Sequence, residues 1–359
     1  MAALDIAGLD VDLAGLAEHL GALVPEAGLL TDLRLLTGGS SNLTLLATCA
    51  HRRLVLRRRP VGLIPEQAHD MGREHDILRM LAPTPVPVPV VHGFCTDETL
   101  LGAPFYVMDF VDGIVVQTAA DLAPVPSRAR GRICADLVRV LAELHAVPLA
   151  SFPSYQPGRS GNVMERHLRR WHDRWHDRPH RDLPAVDLIA AELADRLPSE
   201  QELSFVHGDY RMGNTIVAGE EAADETERPV LAVLDWELAT FGHPLTDLAH
   251  LLAYWEGTGD LHSHRAQHIA REAGLPGAAE LAERYAELSG RSIEQLPAFL
   301  AFEHWRAAVI KEAIYQRRRR AGASPVEVDD ARTGVDRHLA EAAARLGIGR
   351  AIPQAHPAQ

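Results

Sequence analysis

Cysteine is scarce and unpaired: Cys49, Cys95 and Cys134 stand far apart, with no CxxC spacing among them. This excludes a disulfide framework and a thiolate zinc site, and it fits a reducing compartment. No apolar run approaches the roughly 20 residues needed to cross a bilayer. The opening stretch, MAALDIAGLDVDLAGLAEHL, holds Asp5, Asp10, Asp12 and Glu18 but neither lysine nor arginine. It therefore lacks the basic, apolar, small-residue order of a signal peptide. An excess of positive charge is missing too. The formal net charge is -13, which argues against a protein that coats nucleic acid, because phosphate backbones need positive partners. The expectation is a soluble cytoplasmic protein with no nucleic-acid or membrane partner. What is present is ordinary for a globular chain: 359 residues, 47% hydrophobic and 24% charged. That suffices for one large or two medium domains with real cores.

Two kinds of periodicity divide the chain. Asp12 to Leu23 reads as an amphipathic helix, with Leu13, Leu16, Leu20 and Leu23 at helical spacing. Residues 33–60, LRLLTGGSSNLTLLATCAHRRLVLRRRP, hold β-rich runs around a Gly-Gly-Ser-Ser-Asn turn and a second turn at Ala50 to Arg53. Strand, loop, strand, turn, strand is an antiparallel pattern and not a βαβ unit. Residues 68–81 read as a helix with Met71, Ile77, Leu78 and Leu81 inward, and 84–93, with alternate prolines, as an extended connector. Residues 104–113, PFYVMDFVDG, read as a buried strand ending in an Asp-Gly turn. From the helix over 127–146 onward, helical patterning dominates except in 203–240. The expected fold class is α+β in two lobes: an antiparallel sheet plus helix at 1–112, a mainly helical part at 113–346, and a disordered tail at 347–359.

The chemistry concentrates in FVHGDYRMGNTIV (205–217) and VLAVLDWELATFG (230–242). Apolar strand residues precede each polar cluster, so the polar groups emerge at strand ends, where catalytic loops sit. Asp209 and Asn214 lie five residues apart in one loop, and Asp235 and Glu237 flank Trp236 after the second strand. Phosphoryl transfer asks for this set: a carboxylate to receive the hydroxyl proton, and oxygen ligands to hold Mg²⁺ on the phosphates.

These segments resemble the aminoglycoside phosphotransferase and choline kinase superfamily, relatives of the protein kinases. HGDYRMGN resembles its catalytic loop and LDWE its metal-binding segment, and the likeness covers about residues 33–320. GGSSN, VLRRRP, PFYVMDFVDG, LDWELATFGHP and HWRAAVIKEAIYQR resemble above all the branch associated with acyl-CoA dehydrogenases. The resemblance implies a two-lobed protein-kinase-like fold and transfer of the ATP γ-phosphoryl group, with GTP as the alternative donor, to a small-molecule hydroxyl. Asp209 would be the catalytic base. Asn214 and Asp235 would hold Mg²⁺, with Glu237 assisting the metal or orienting the substrate. Asp247 would brace the catalytic loop, and His207 would pack or hydrogen-bond beneath it. Gly39, Ser40, Ser41 and Asn42 would cover the phosphates, and the backbones of Asp109 and Val111 would meet adenine. Protein kinases carry a lysine on the third strand paired with a helix glutamate. Here Arg57 and Glu74 occupy those places; arginine keeps the charge but changes the reach and shape. The acceptor expected from this branch is a hydroxyacyl-CoA-like metabolite ahead of a polycationic aminoglycoside.

Each feature also has a plainer reading. An isolated Asp-x₄-Asn is usually a solvated turn, and Glu74 with Arg57 could be a surface ion pair. Trp171 and Trp175 share one helix face, which suits core packing or an acceptor pocket. Arg166, Arg169, Arg170 and Arg174 could complement CoA phosphates or simply be solvated, as could the run Arg317 to Arg320. His172, His176 and His180, and His262, His264 and His268, form two clusters that could support a zinc-dependent hydrolase. No HExxH motif is present, however, and Pro179 should end the helix before His180. A nucleotide-binding regulator without turnover is the remaining alternative. DFG and APE motifs are absent, which speaks against a protein kinase.

Overall fold

The computed structural model describes residues 11–36, 42–59, 70–153, 162–198, 202–219, 226–255 and 269–349. The chain divides into two compact units. The first comprises residues up to Ile114 with Thr215–Ala218 and Val230–Leu238, and the second Val115–Asn214, Gly219–Pro229 and everything from Ala239 onward.

The first unit is built on a five-stranded sheet of β1 (Leu30–Leu35), β2 (Leu43–Cys49), β3 (Arg53–Arg58), β4 (Val91–Cys95) and β5 (Phe105–Asp109), in the order β1-β2-β3-β5-β4 and antiparallel throughout. Period-two alternation sends Leu45, Ala47, Leu54, Leu56, Phe105 and Val107 to one face, where they form a buried core with Leu13, Leu16 and Leu20 of α1 (Leu13–Leu23). Asp12 starts α1 by accepting from the Ala14 and Gly15 N–H groups. The opposite parity places Arg57, which pairs in register with Tyr106, on the other face. There α2 (Met71–Leu81), capped by Asp70, packs against β4 and β5. A one-turn helix, α3 (Glu98–Leu101), ends at Gly102 in the left-handed region.

Two expectations change here. The proline-rich connector leads directly into β4, whose pairing starts at Val91 once the alternate prolines stop and N–H donors return. The hairpin of β7 (Thr215–Val217) and β8 (Val230–Val233) lies far along the chain, yet it belongs to the first unit. Reciprocal bonds between Ile114 and Val217, and one from the Val233 N–H to the Pro87 carbonyl, hold it there.

The second unit is helical: α4 (Ser127–Ala146), α5 (Val163–His176), α6 (Ala185–Arg196), α7 (Leu245–Trp255), α8 (Ile269–Glu272), α9 (Ala278–Ser289), α10 (Leu296–Arg320) and α11 (Pro325–Leu346). A short antiparallel pair, β6 (Ser204–Val206) and β9 (Thr240–Gly242), packs on α4 through β6. Helix α10 is central, touching α5, α6, α7 and α11, and it buries Phe299, Phe302 and Trp305. Ser324 and Glu327 close a capping box at the start of α11, with Pro325 in its first turn. Among the described residues, no helix is long and apolar enough to cross a membrane.

Candidate functional site

In the second unit, β6 delivers its chain into a loop braced from α7. The Asp247 carboxylate accepts from the backbone N–H groups of His207 (2.6 Å) and Gly208 (2.8 Å), and it faces Nε2 of His145 at 3.3 Å. Burial alone would raise the Asp247 pKa, but His145 and these donors hold it below its ordinary value. Gly208 takes φ 84°, where a side chain would be strained. His207 is fully buried, its Nδ1 accepts from the Asp209 N–H at 3.2 Å, and its ring meets Tyr210 edge-on.

This bracing aims Asp209. Its Oδ1 accepts from His250 Nε2 at 2.7 Å and its Oδ2 from Asn214 Nδ2 at 2.7 Å. On its other side, His250 Nδ1 donates to Glu303 Oε2 at 3.0 Å, and Arg306 Nη2 sits 2.5 Å from the same oxygen. Both ring nitrogens thus face carboxylates, which favours the doubly protonated imidazolium. Burial works against that charge, yet the hydrogen bonds to Asp209 and Glu303 raise His250 to about 9. Glu303 is likewise pushed down to about 2, because Arg306 and His250 outweigh its burial. For Asp209, burial acts upward and is overcome by His250, which holds the carboxyl well below the usual range. Asn214 spends both amide hydrogens on Asp209, on its carbonyl at 2.9 Å and its Oδ2. Oδ1 is therefore the acceptor that Asn214 can offer a cation.

In the first unit, Glu74 on α2 is buried and forms an ion pair with Arg57 Nε at 3.2 Å, while Arg57 Nη2 donates to Asp235 Oδ1 at 2.5 Å. Burial would depress the Arg57 pKa, but Glu74, Tyr106 and Asp235 hold it above its ordinary value. Glu74 is raised by burial and drawn back by Arg57 and by the Trp236 N–H, which donates to it at 3.3 Å. The chain's single lysine, Lys311, lies in α10, so within this unit arginine is the cation that serves the position. Asp235 takes φ 67°, left-handed for a residue with a side chain, a conformation held only where its surroundings enforce it. Glu237 accepts from Asn42 Nδ2 at 3.3 Å, and its carbonyl accepts from Arg73 at 2.8 Å. Each loop, taken by itself, offers carboxylate or amide oxygens, hard ligands of the kind Mg²⁺ prefers.

Gly39, Ser40 and Ser41 lie outside the described residues, as do His262, His264 and His268. The Asp109 N–H donates to the Val90 carbonyl, and its side chain accepts from His92 at 2.9 Å. Trp171 and Trp175 stand on the wall of a cavity of about 410 Å³, with Arg174, Arg178, His180 and Arg317. Trp175 is buried against the His180 ring at 4.1 Å, while the guanidinium groups of Arg174 and Arg306 lie 4.7 and 6.0 Å from the Trp171 ring. The surroundings are strongly cationic. His167 is pushed down to about 4, by burial first and then by Arg170, Arg306 and Arg166.

Sequence reasoning missed His145, His250, Glu303 and Arg306. A signal existed for two of them: His250 follows Asp247 by one helical step, so both face the loop, and Arg306 lies within the HWRAAVIKEAIYQR helix.

The chain matches the model of the "Phosphotransferase enzyme family" over residues 32–283. It is 34% identical over 283 residues to mouse (Mus musculus) acyl-CoA dehydrogenase family member 10, covering 78% of this chain and 26% of that protein. The chain spans between 26% and 39% of the length of the curated acyl-CoA dehydrogenase family relatives it matches. A crystal structure of a candidate aminoglycoside phosphotransferase from Ralstonia eutropha superposes with a TM-score of 0.76 at 28% identity, over 96% of this chain and 99% of that one. At 19% identity and a TM-score of 0.59, over 93% and 99% of the chains, aminoglycoside phosphotransferase APH(4)-Ia in complex with AMP-PNP and hygromycin B shares the fold. The fold is thus that of the kinase-like aminoglycoside phosphotransferases, and the chain belongs to the phosphotransferase enzyme family.

Proposed function

We propose that the chain transfers the γ-phosphoryl group of ATP, with GTP as the alternative donor, to a hydroxyl of an anionic small molecule. The observation that carries this reading is the Asp209 carboxylate, held ionised and aimed by His250 and Asn214 at 2.7 Å each. A loose phosphoryl-transfer transition state asks little of a base beyond orientation and a late proton acceptor. An Asp209 of low basicity suits that role: it accepts the hydrogen bond of the attacking hydroxyl and takes its proton as the new P–O bond completes. Arg57, fixed by Glu74, orients the phosphates, and the N–H of Val111 is the hinge donor for the base, since that of Asp109 is committed to Val90. Asp235, Glu237 and the Asn214 Oδ1 are the oxygens that would hold Mg²⁺. The bound metal supplies charge neutralisation on the phosphates.

The cavity beside Trp171 supports this acceptor class. Arg174, Arg178 and Arg317 with Trp171 and Trp175 favour an acceptor with negative charge and a planar group over a polycationic aminoglycoside. The acyl-CoA dehydrogenase names of the relatives point the same way, toward a hydroxyacyl-CoA. Asp209, Asn214 and Asp235 are all present, which counts against a regulator without turnover.

The test measures ADP release by the full chain with MgATP and either a hydroxyacyl-CoA or kanamycin, for wild type and Asp209→Asn. Turnover with the CoA ester that collapses in the variant is the expected result. Preference for kanamycin would overturn the acceptor class, and equal turnover in the variant would remove Asp209 from its role.

A further inference from the structure

Three donor atoms outside the machinery above converge on one point. Helix α5 carries His172 and His176, an i, i+4 pair on one face, and α6 carries Asp187 in its first turn. Nε2 of His172 lies 2.8 Å from Asp187 Oδ1, Nε2 of His176 lies 3.1 Å from the same oxygen, and the two Nε2 atoms are 3.2 Å apart. His180, the third member of the cluster in the sequence, turns away: its ring stacks on Trp175 and its Nδ1 bonds to the Arg181 carbonyl. The third polar atom of the group thus comes from a different helix.

We propose that His172, His176 and Asp187 form a site for a divalent transition-metal ion, zinc by preference, that staples α5 to α6. Geometry carries this. Zinc–nitrogen and zinc–oxygen bonds of about 2.0–2.2 Å at tetrahedral angles set ligand atoms about 3.3–3.5 Å apart. The triangle seen here, with edges of 2.8, 3.1 and 3.2 Å, needs to open by only a few tenths of an ångström. A hydrogen-bonded network alone explains the closeness less well. If both imidazoles donate to Asp187, their N–H groups crowd each other; if one donates to the other, the acceptor's lone pair cannot also serve the carboxylate. Two imidazoles and one carboxylate select zinc over magnesium or calcium, which prefer all-oxygen shells. The ligand side chains are 35–53% exposed, so the site opens to solvent and leaves the fourth position to water. Because α5 also carries Trp171, Arg174 and Trp175 on the cavity wall, the staple would fix that wall.

The proposal does not depend on the phosphotransferase reading, and its test needs no turnover. The metal-stripped full chain is titrated with Zn²⁺ against a competing chelator, alongside His176→Ala, Asp187→Asn and, as control, His180→Ala. Expected are one tight zinc per wild-type and His180→Ala chain and a weakening of more than about tenfold in the other two, the least that even an outer-shell loss commonly costs. Tetrahedral d–d absorption on Co²⁺ addition to wild type gives a reading that no variant's folding can confuse. Zinc bound equally by wild type and His176→Ala, or Co²⁺ spectra without tetrahedral bands, would overturn the site.

Discussion

The two acidic centres, Asp209 and Asp235, solve the same electrostatic problem with different cations. Asp235 is held by Arg57, whose charge is fixed at every accessible pH and which is itself anchored by buried Glu74. Asp209 is held by His250, whose charge persists against burial because Glu303 and Asp209 flank its two ring nitrogens. The first arrangement suits a group that must stay anionic for a cation. The second suits a carboxylate that must receive a proton and give it up again, next to a partner that can titrate. Strain differs as well: Asp235 is in the left-handed region, whereas beside Asp209 that conformation falls on Gly208, which tolerates it.

The sharpest way to break the comparison is Asp209→Asn. The amide keeps the shape, loses the proton acceptor, and presents an N–H₂ group or a weaker acceptor to His250. A fall in kcat of about 10²–10⁴ is expected, with nucleotide affinity nearly unchanged; a steady-state assay beside a nucleotide titration checks it. Asp235→Ala should do the reverse and act on the nucleotide. At 100 Kd of MgATP the wild type gains about 2.7 kcal/mol of stability by mass action, and the variant should lose most of that gain in a thermal melt.

Histidine against arginine also predicts a pH signature. His250 goes from an ordinary value of about 6.5 to about 9 in the folded chain. A group raised on folding contributes fully below its unfolded value and loses that contribution as pH rises through the folded one. The difference is worth roughly 3 kcal/mol, at about 1.36 kcal/mol per unit. Stability should therefore decline between about pH 6.5 and 9, and His250→Gln should flatten that decline while lowering stability at neutral pH. The groups facing His250 are Asp209, Glu303, Arg306 and Tyr254. Equal slopes for wild type and variant would reassign the decline to another group.

Much of this was legible in the sequence because it is local. The strands on either side of the Gly-Gly-Ser-Ser-Asn turn and the helix over 127–146 follow from periodicity that needs no partner. The antiparallel sheet and the helical remainder follow from the same patterns. The proline pattern concealed β4, since an edge strand is defined by its pairing with β5 and not by its composition. The charge network behind Asp209 joins residues 41 and 53 positions apart, and nothing in one helix announces that its histidine will meet a carboxylate from another. The same holds for Asp187, which reads as a plain first-turn acid until α6 brings it to the α5 histidines.

The smallest expected effect tests whether the fixed charge at Asp235 needs arginine's shape or only its sign. Arg57 reaches Glu74 through Nε and Asp235 through Nη2, two separate atoms of one planar fork, with a side chain only 13% exposed. A lysine ammonium is a single point on a flexible stem and can favour one carboxylate at a time. In Arg57→Lys the charge balance survives, so the several kcal/mol expected from leaving Glu74 unpaired should not appear. What remains is one lost charge-assisted hydrogen bond, about 1–2 kcal/mol, read as a fall of a few degrees in Tm. MgATP should still stabilise the variant, because Asp235 is intact. If Arg57→Lys melts with the wild type, position 57 requires only a positive charge. If it loses the MgATP response as Asp235→Ala does, the guanidinium fork is itself part of the phosphate site, and the two centres differ in geometry as well as in how their cations titrate.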